Sequence, residues 1–157
     1  MIERDIPEEI NSDFVIPEIQ IDLDHEKSYP MLQDYKELTQ NDIDYEEFYD
    51  IHDEIDMSEH ESEIQLLGYA EVMQKSMLTY LAMVTDGIDV GGYDDPKQME
   101  PYRKHASEWV LLAQIRTIET EEYCLEIEDD GCLYFYIRKE DLAKQDFSKV
   151  WAMTQCL

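Results

Sequence analysis

Cys132-Leu133-Tyr134-Phe135-Tyr136-Ile137-Arg138-Lys139 decides how this chain folds. The run is aromatic and β-branched, a composition that fits a pleated, half-buried strand. Successive side chains point to opposite faces, so Leu133, Phe135 and Ile137 are expected on one side and Tyr134 and Tyr136 on the other. Asp130-Gly131 immediately upstream is a turn signal. A second strand is predicted over residues 109–117, with Trp109, Leu111, Ala113 and Ile115 on one face. A third is predicted over 150–156, where Trp151 and Met153 supply the bulk. Residues 140–147 between them read as a short surface helix or turn.

Working back from these strands, the texture becomes helical. Met73, Met77, Leu78, Leu81 and Val84 recur at helical spacing and predict a helix over 71–85, ended by Asp86-Gly87. Upstream of it, Leu66-Leu67-Gly68-Tyr69 reads as a short apolar segment closing in a glycine turn. Gly91-Gly92-Tyr93-Asp94-Asp95-Pro96 is a loop by its turn residues, and 97–107 has room for a short helix. Met31, Leu32, Tyr35 and Leu38 mark one face of another helix. Tyr45, Phe48, Tyr49, Ile51, Ile55 and Met57 form a broader stripe among carboxylates, also read as helical. The first 30 residues are an acidic arm broken by Pro7, Pro17 and Pro30. Within it, the alternation over Ile19-Gln20-Ile21-Asp22-Leu23-Asp24 suits one half-buried or edge strand. Helices first and strands last predict an α+β fold. Its mainly antiparallel sheet comes from the C-terminal half and packs with helices from the N-terminal and middle segments. At 157 residues the chain suits a single domain.

Charge sets the expected partners. Twelve Lys and Arg face 39 Asp and Glu, a formal net charge of -27. Residues 1–63 hold 22 of the acids and only 3 basic residues; residues 64–157 hold 17 and 9. Such a chain repels nucleic-acid phosphates and anionic lipid, and attracts and steers a cationic partner. The three cysteines, Cys124, Cys132 and Cys156, show no metal-ligand spacing and are expected to be buried, reduced thiols. Met1-Ile2-Glu3-Arg4-Asp5 lacks the features of a signal peptide, and no apolar run reaches about 18 residues, so a cytoplasmic protein is expected.

The residues that carry chemistry are few. His25, His52, His60 and His105 include none in the strand region, and no base is nominated for Cys132. Gly91-Gly92 lacks the Lys-Ser/Thr of a phosphate loop. Glu47 stands where the calcium loop suggested by Asp42-Ile43-Asp44 would need glycine. Glu126, Glu128, Asp129 and Asp130 cluster before a strand but read first as a solvated charge run. No catalytic residue, cofactor or metal ligand is therefore expected, and the chain reads as a non-enzyme. What remains is binding: Tyr35, Asp44, Tyr45, Glu46, Phe48 and Tyr49 combine aromatic groups with acids, a pattern suited to a basic protein surface. The alternative is a small-molecule or calcium-binding domain using the glycine loop and residues 126–130.

The second half also carries a series of motifs in order. They are Leu67-Gly68-Tyr69, Gln74, Asp86-Gly87, Gly92-Tyr93-Asp94-Asp95-Pro96 and Trp109-Val110-Leu111-Leu112-Ala113-Gln114-Ile115. Gly131-Cys132-Leu133-Tyr134-Phe135, Ile137-Arg138-Lys139-Glu140-Asp141-Leu142, Asp146-Phe147-Ser148-Lys149-Val150-Trp151 and Gln155-Cys156 complete it. In these residues, over about Leu66–Cys156, the chain resembles the YwqG-like family of uncharacterised bacterial proteins. Ala70 departs from the family's usual proline, and Ile127-Glu128-Asp129-Asp130 departs from its Trp-Gly-Asp approach to the central strand. The resemblance implies an α+β fold, a bacterial cytoplasmic origin and a shortened acidic N-terminal segment. It implies no catalytic chemistry. Some members accompany secreted toxin systems, which implies an immunity or accessory role.

Overall fold

The structure is a computed structural model and describes residues 20–54, 63–88, 95–119, 123–127 and 130–156. Helices α1 (Leu32–Thr39) and α2 (Tyr45–Glu54) precede strand β1 (Ile64–Leu66) and helix α3 (Leu78–Thr85). Helix α4 (Pro96–Met99) runs on into a 3-10 helix, Glu100–Glu108, and then strand β2 (Trp109–Ile115). A small ribbon of β3 (Ile118–Glu119) and β4 (Cys124–Leu125) leads to β5 (Cys132–Arg138), α5 (Lys139–Ala143) and β6 (Trp151–Gln155). The four-stranded sheet has the order β1-β2-β5-β6, and every pairing in it is antiparallel. The α+β architecture expected from the sequence is the one observed.

The aromatic run forms the centre of this sheet, with its tyrosine face inward. Tyr134 and Tyr136 are 0% and 1% exposed, and Cys132 between the same neighbours is fully buried. On β2 a bulge between Leu111 and Ala113 alters the alternation. Trp109 and Leu111 face the core, but beyond the bulge Gln114 takes the inward place opposite Tyr134. Ala113 and Ile115 are only half-buried. The four-residue face predicted for this strand is thus cut in two, because one extra residue reverses the side on which later side chains emerge. Leu78 and Leu81 of α3 and Ala106 of the 3-10 helix close the core over the sheet.

Two further expectations are corrected. Residues 20–30 form no strand; Ile21 and Leu23 are 47% and 68% exposed, so their alternation meets no second surface. Ile19 lies outside the described residues, as do Ile55 and Met57 of the second helical stripe. The helix predicted over 71–85 begins only at Leu78. Its first half is instead an irregular segment held by side chains of the sheet. Gln114 Oε1 accepts the Glu71 amide at 3.0 Å, and the Tyr134 hydroxyl donates to the Glu71 carbonyl at 2.7 Å. Gln155 Oε1 accepts the amides of Met73 (3.0 Å) and Gln74 (3.2 Å), and its Nε2 donates to the Lys75 carbonyl at 2.8 Å. These groups supply the partners that helical hydrogen bonds would have given. The end of α3 follows the sequence: Gly87 at φ +79 donates to Val84 and Ile88 donates to Met83, a left-handed helix cap.

The start of α3 is capped from another helix. Glu37 of α1 places Oε2 2.8 Å from the Thr79 amide and 3.0 Å from the Ser76 hydroxyl. A carboxylate there satisfies an otherwise unpaired helix amide and meets the positive end of the helix dipole. Glu37→Ala is expected to cost about 1–2 kcal/mol, the usual loss for an N-terminal cap, measured as a drop in the urea midpoint. Glu37→Gln should recover part of it, since its amide oxygen still accepts.

Candidate functional site

Two regions gather exposed or unpartnered polar groups. The first is the surface of α2. Asp44 caps this helix, accepting the Glu47 amide at 2.9 Å. Asp42, Asp44, Glu46, Glu47 and Asp50 are all exposed. Tyr45, 64% exposed, lies against Tyr49 with ring centroids 4.3 Å apart. Phe48 is buried, 5.7 Å from Tyr35 and 5.4 Å from Tyr49, so it holds the helix pair together from within. Of the six residues singled out in the sequence, Tyr45, Asp44 and Glu46 present themselves to solvent, and Tyr49 and Tyr35 are half-buried. They do sit together, on α1, α2 and the turn that joins them.

The second region is a cleft of about 430 Å³ between α1, the turn after β1 and the β2–β5 surface. Its walls are apolar: Leu38, Leu78, Leu111 and Ala70 among them. Three nearly buried polar residues also line it. Asp34 is 2% exposed, Tyr136 1% and Trp109 3%. Asp34 Oδ1, the Tyr136 hydroxyl and the Trp109 indole nitrogen have no hydrogen-bond partner. Burial pushes the Asp34 carboxyl up from 3.8 to about 6; Ser76 bonds to it and draws it down, while the charge of Glu37 adds to the rise. Tyr136 is raised far above the usual phenol range, by burial first and then by the Asp34 charge.

None of these three residues stood out as a site residue in the sequence. Asp34 shares the helical face of Met31 and Leu38, and a carboxylate inside an apolar stripe was the available signal. It was hidden in a segment where acids are everywhere.

His105 is half-buried and bonded to Glu108 at 2.5 Å; Glu108 also takes the Arg138 guanidinium at 3.0 Å. Arg138 lies over the Trp109 ring, 5.0 Å from its centroid, and donates to Thr85. These contacts fasten β5 to the helices above it. His25 is exposed, whereas His60 and the His52 side chain lie outside the described residues. Cys132 is buried as expected, but Cys156 is half-buried and Cys124 is exposed, because its two-residue strand β4 pairs only with β3. Among the described residues no group of three or more His, Cys, Asp or Glu side chains could hold a metal ion. Asp94, Glu128 and Asp129 fall outside them, as do Gly91 and Gly92. No described helix is long and apolar enough to cross a membrane.

No curated protein matches the chain. A family model described as a domain of unknown function matches residues 4–156, taking in the acidic first segment as well as the motif-bearing second half. By that match over nearly its whole length, the chain belongs to the DUF1963 family, a domain of unknown function.

Proposed function

We propose that this chain is a non-enzymatic protein-binding module of the YwqG-like bacterial type, acting in the cytoplasm, and that its α2 surface docks a basic protein. The observation that supports this reading most is the exposed Tyr45, packed on half-buried Tyr49 and set among five exposed carboxylates. Aromatic rings of this kind give contact area at low entropic cost, and the surrounding acids steer a cationic surface toward them. Among the described residues, Lys36 is the basic residue paired here, with Asp42 at 3.1 Å. An immunity or accessory role, neutralising a basic partner, is the form of this function that the family resemblance favours.

The test is affinity capture from the native bacterial cytosol at low and at high salt. A specific partner should be retained at low salt and lost as the ionic strength rises, because exposed charges are screened over about 10 Å at 0.1 M salt. Once a partner is in hand, Tyr45→Ala should weaken it by roughly tenfold or more, as at interface aromatic anchors. Its urea midpoint should stay unchanged, since the ring is 64% exposed. Retention that is indifferent to salt, or to Tyr45, would remove the proposal.

A further inference from the structure

We propose that the groove between α3 and β6 binds an extended peptide segment as a fifth strand of the sheet, with an apolar side chain seated against Trp151 and basic residues at its flanks. Strand β6 ends the sheet: β5 pairs with one of its sides, and among the described residues no strand pairs with the other. In an antiparallel pair alternate residues turn their amides and carbonyls away from the partner, so the outer side of β6 is a template for another strand. Edge strands are ordinarily guarded by charge, proline or a bulge. Trp151-Ala152-Met153-Thr154-Gln155 has neither charge nor proline, and its register with β5 is unbroken, in a chain where 32% of residues are charged. Trp151, Ala152 and Thr154 are exposed.

Beside that edge lies an open notch of about 280 Å³, lined by Tyr80 and Val84 of α3 and by Trp151, Ala152, Met153 and Thr154. Trp151 and Met153 stand opposite Tyr136 and Tyr134 in the register, so they share the face that α3 covers. Met153 packs against the core, whereas Trp151 stays 40% exposed. A strand laid along β6 sends alternate side chains to this same face, and the notch receives them. Its volume is small beside the roughly 300–1,000 Å³ of small-molecule sites and suits one or two side chains. Main-chain bonds then supply affinity and the notch supplies selectivity, as in other cases of strand addition. No Asp, Glu, Lys, Arg or His lines the notch, so the residue seated there is apolar. Exposed Lys149, two residues before Trp151, and exposed Asp86, two residues after Val84, leave the neighbouring charge near balance. The net charge of -27 therefore sets the preference, favouring a segment with basic flanks. A second copy of the chain carries the same charge and is repelled. The groove and the α2 surface share no residue, so the inference stands apart from the docking proposed there.

The test titrates the full chain at low salt and neutral pH, where lysine and glutamate side chains are both charged. Two end-blocked peptides carry the core Val-Thr-Leu-Thr-Val, one with two lysines at each end and the other with two glutamates. A third is the lysine peptide with every amide of its core N-methylated. The readouts are the Trp151 and Trp109 indole N–H signals and the hydrogen exchange of the β6 amides. The lysine peptide should shift the Trp151 signal saturably, leave Trp109 in place and slow the exchange of outward β6 amides. It should bind about tenfold or more tightly than the glutamate peptide. The methylated peptide should not bind, because it cannot donate to the strand edge. Trp151→Ala should weaken the lysine peptide about fivefold or more while the β5 amides keep their protection. The proposal is overturned if the lysine peptide gives no saturable Trp151 shift, if β6 exchange is unchanged on binding, or if either control peptide binds as well. Sedimentation of the chain alone covers the other occupant: a dimer with its β6 amides already protected would assign the edge to a second copy and overturn the proposal. Should Trp151→Ala fail to fold, the methylated peptide on the parent chain decides the matter alone.

Discussion

Gln155→Ala is expected to destabilise the protein by about 3 kcal/mol, seen as a lower urea midpoint with the slope little changed. One side chain here serves three backbone groups: the amides of Met73 and Gln74 and the carbonyl of Lys75. Gln155 is 6% exposed, and it ties the last strand to a segment some eighty residues earlier in the chain. Truncation leaves those groups unpaired, at about 1–3 kcal/mol each where water cannot reach. Gln74 and Lys75 are exposed and recover part of the loss by hydration, which holds the total near the stated figure. Gln155→Glu separates the contributions, because a carboxylate still accepts from both amides but cannot donate to Lys75. Its cost should be intermediate. Hydrogen exchange gives the local test: the Met73 and Gln74 amides should lose protection while those of β5 keep theirs. Equal loss in both places would mean that Gln155 supports the sheet and not the loop.

That clamp also shows which part of the structure was legible in the sequence. Strands β2, β5 and β6, helices α1 and α2 and the body of α3 follow from side-chain periodicity, a local property that needs no knowledge of neighbours, whereas the two- and three-residue strands β1, β3 and β4 are too short to show one. Gly87 and Asp130-Gly131 announced their turns for the same reason. The 71–77 segment was misread because its apolar spacing is helical, while the decisive partners, Gln114 and Gln155, lie about forty and eighty residues away. The bulge at Leu111–Ala113 was equally silent, since one extra residue in a strand leaves no compositional trace. The site divides in the same way. Tyr45, Asp44 and Glu46 were readable as an acidic aromatic surface because exposure is the ordinary fate of such residues. Asp34 was not, because its burial arises only when residues distant in sequence, such as Ser76 and Tyr136, pack around it.

Asp34→Asn should make the protein more stable at neutral pH, by up to about 3 kcal/mol. The Asp34 carboxylate is 2% exposed and has one oxygen unpartnered. Burial holds its folded-state titration at about 6 against an ordinary 3.8, so the folded protein keeps this proton over a range where the unfolded chain has lost it. The stabilisation from the bound proton is complete below about pH 4 and is lost as pH rises through about 6. Above that pH the wild-type chain carries a buried charge, whereas an asparagine of nearly the same shape carries none and offers a donor besides. Comparison of variant with parent isolates this group from the self-repulsion of the other carboxylates, which both chains share. Urea denaturation at about pH 5 and pH 7.5 stays clear of the isoelectric point near 4.1, and the advantage of the variant at the lower pH should be roughly half that at the higher. An advantage independent of pH would point to packing in place of charge, and a less stable variant at pH 7.5 would contradict the argument outright. A buried acid kept at such a cost to stability is the pattern of residues retained for what they bind.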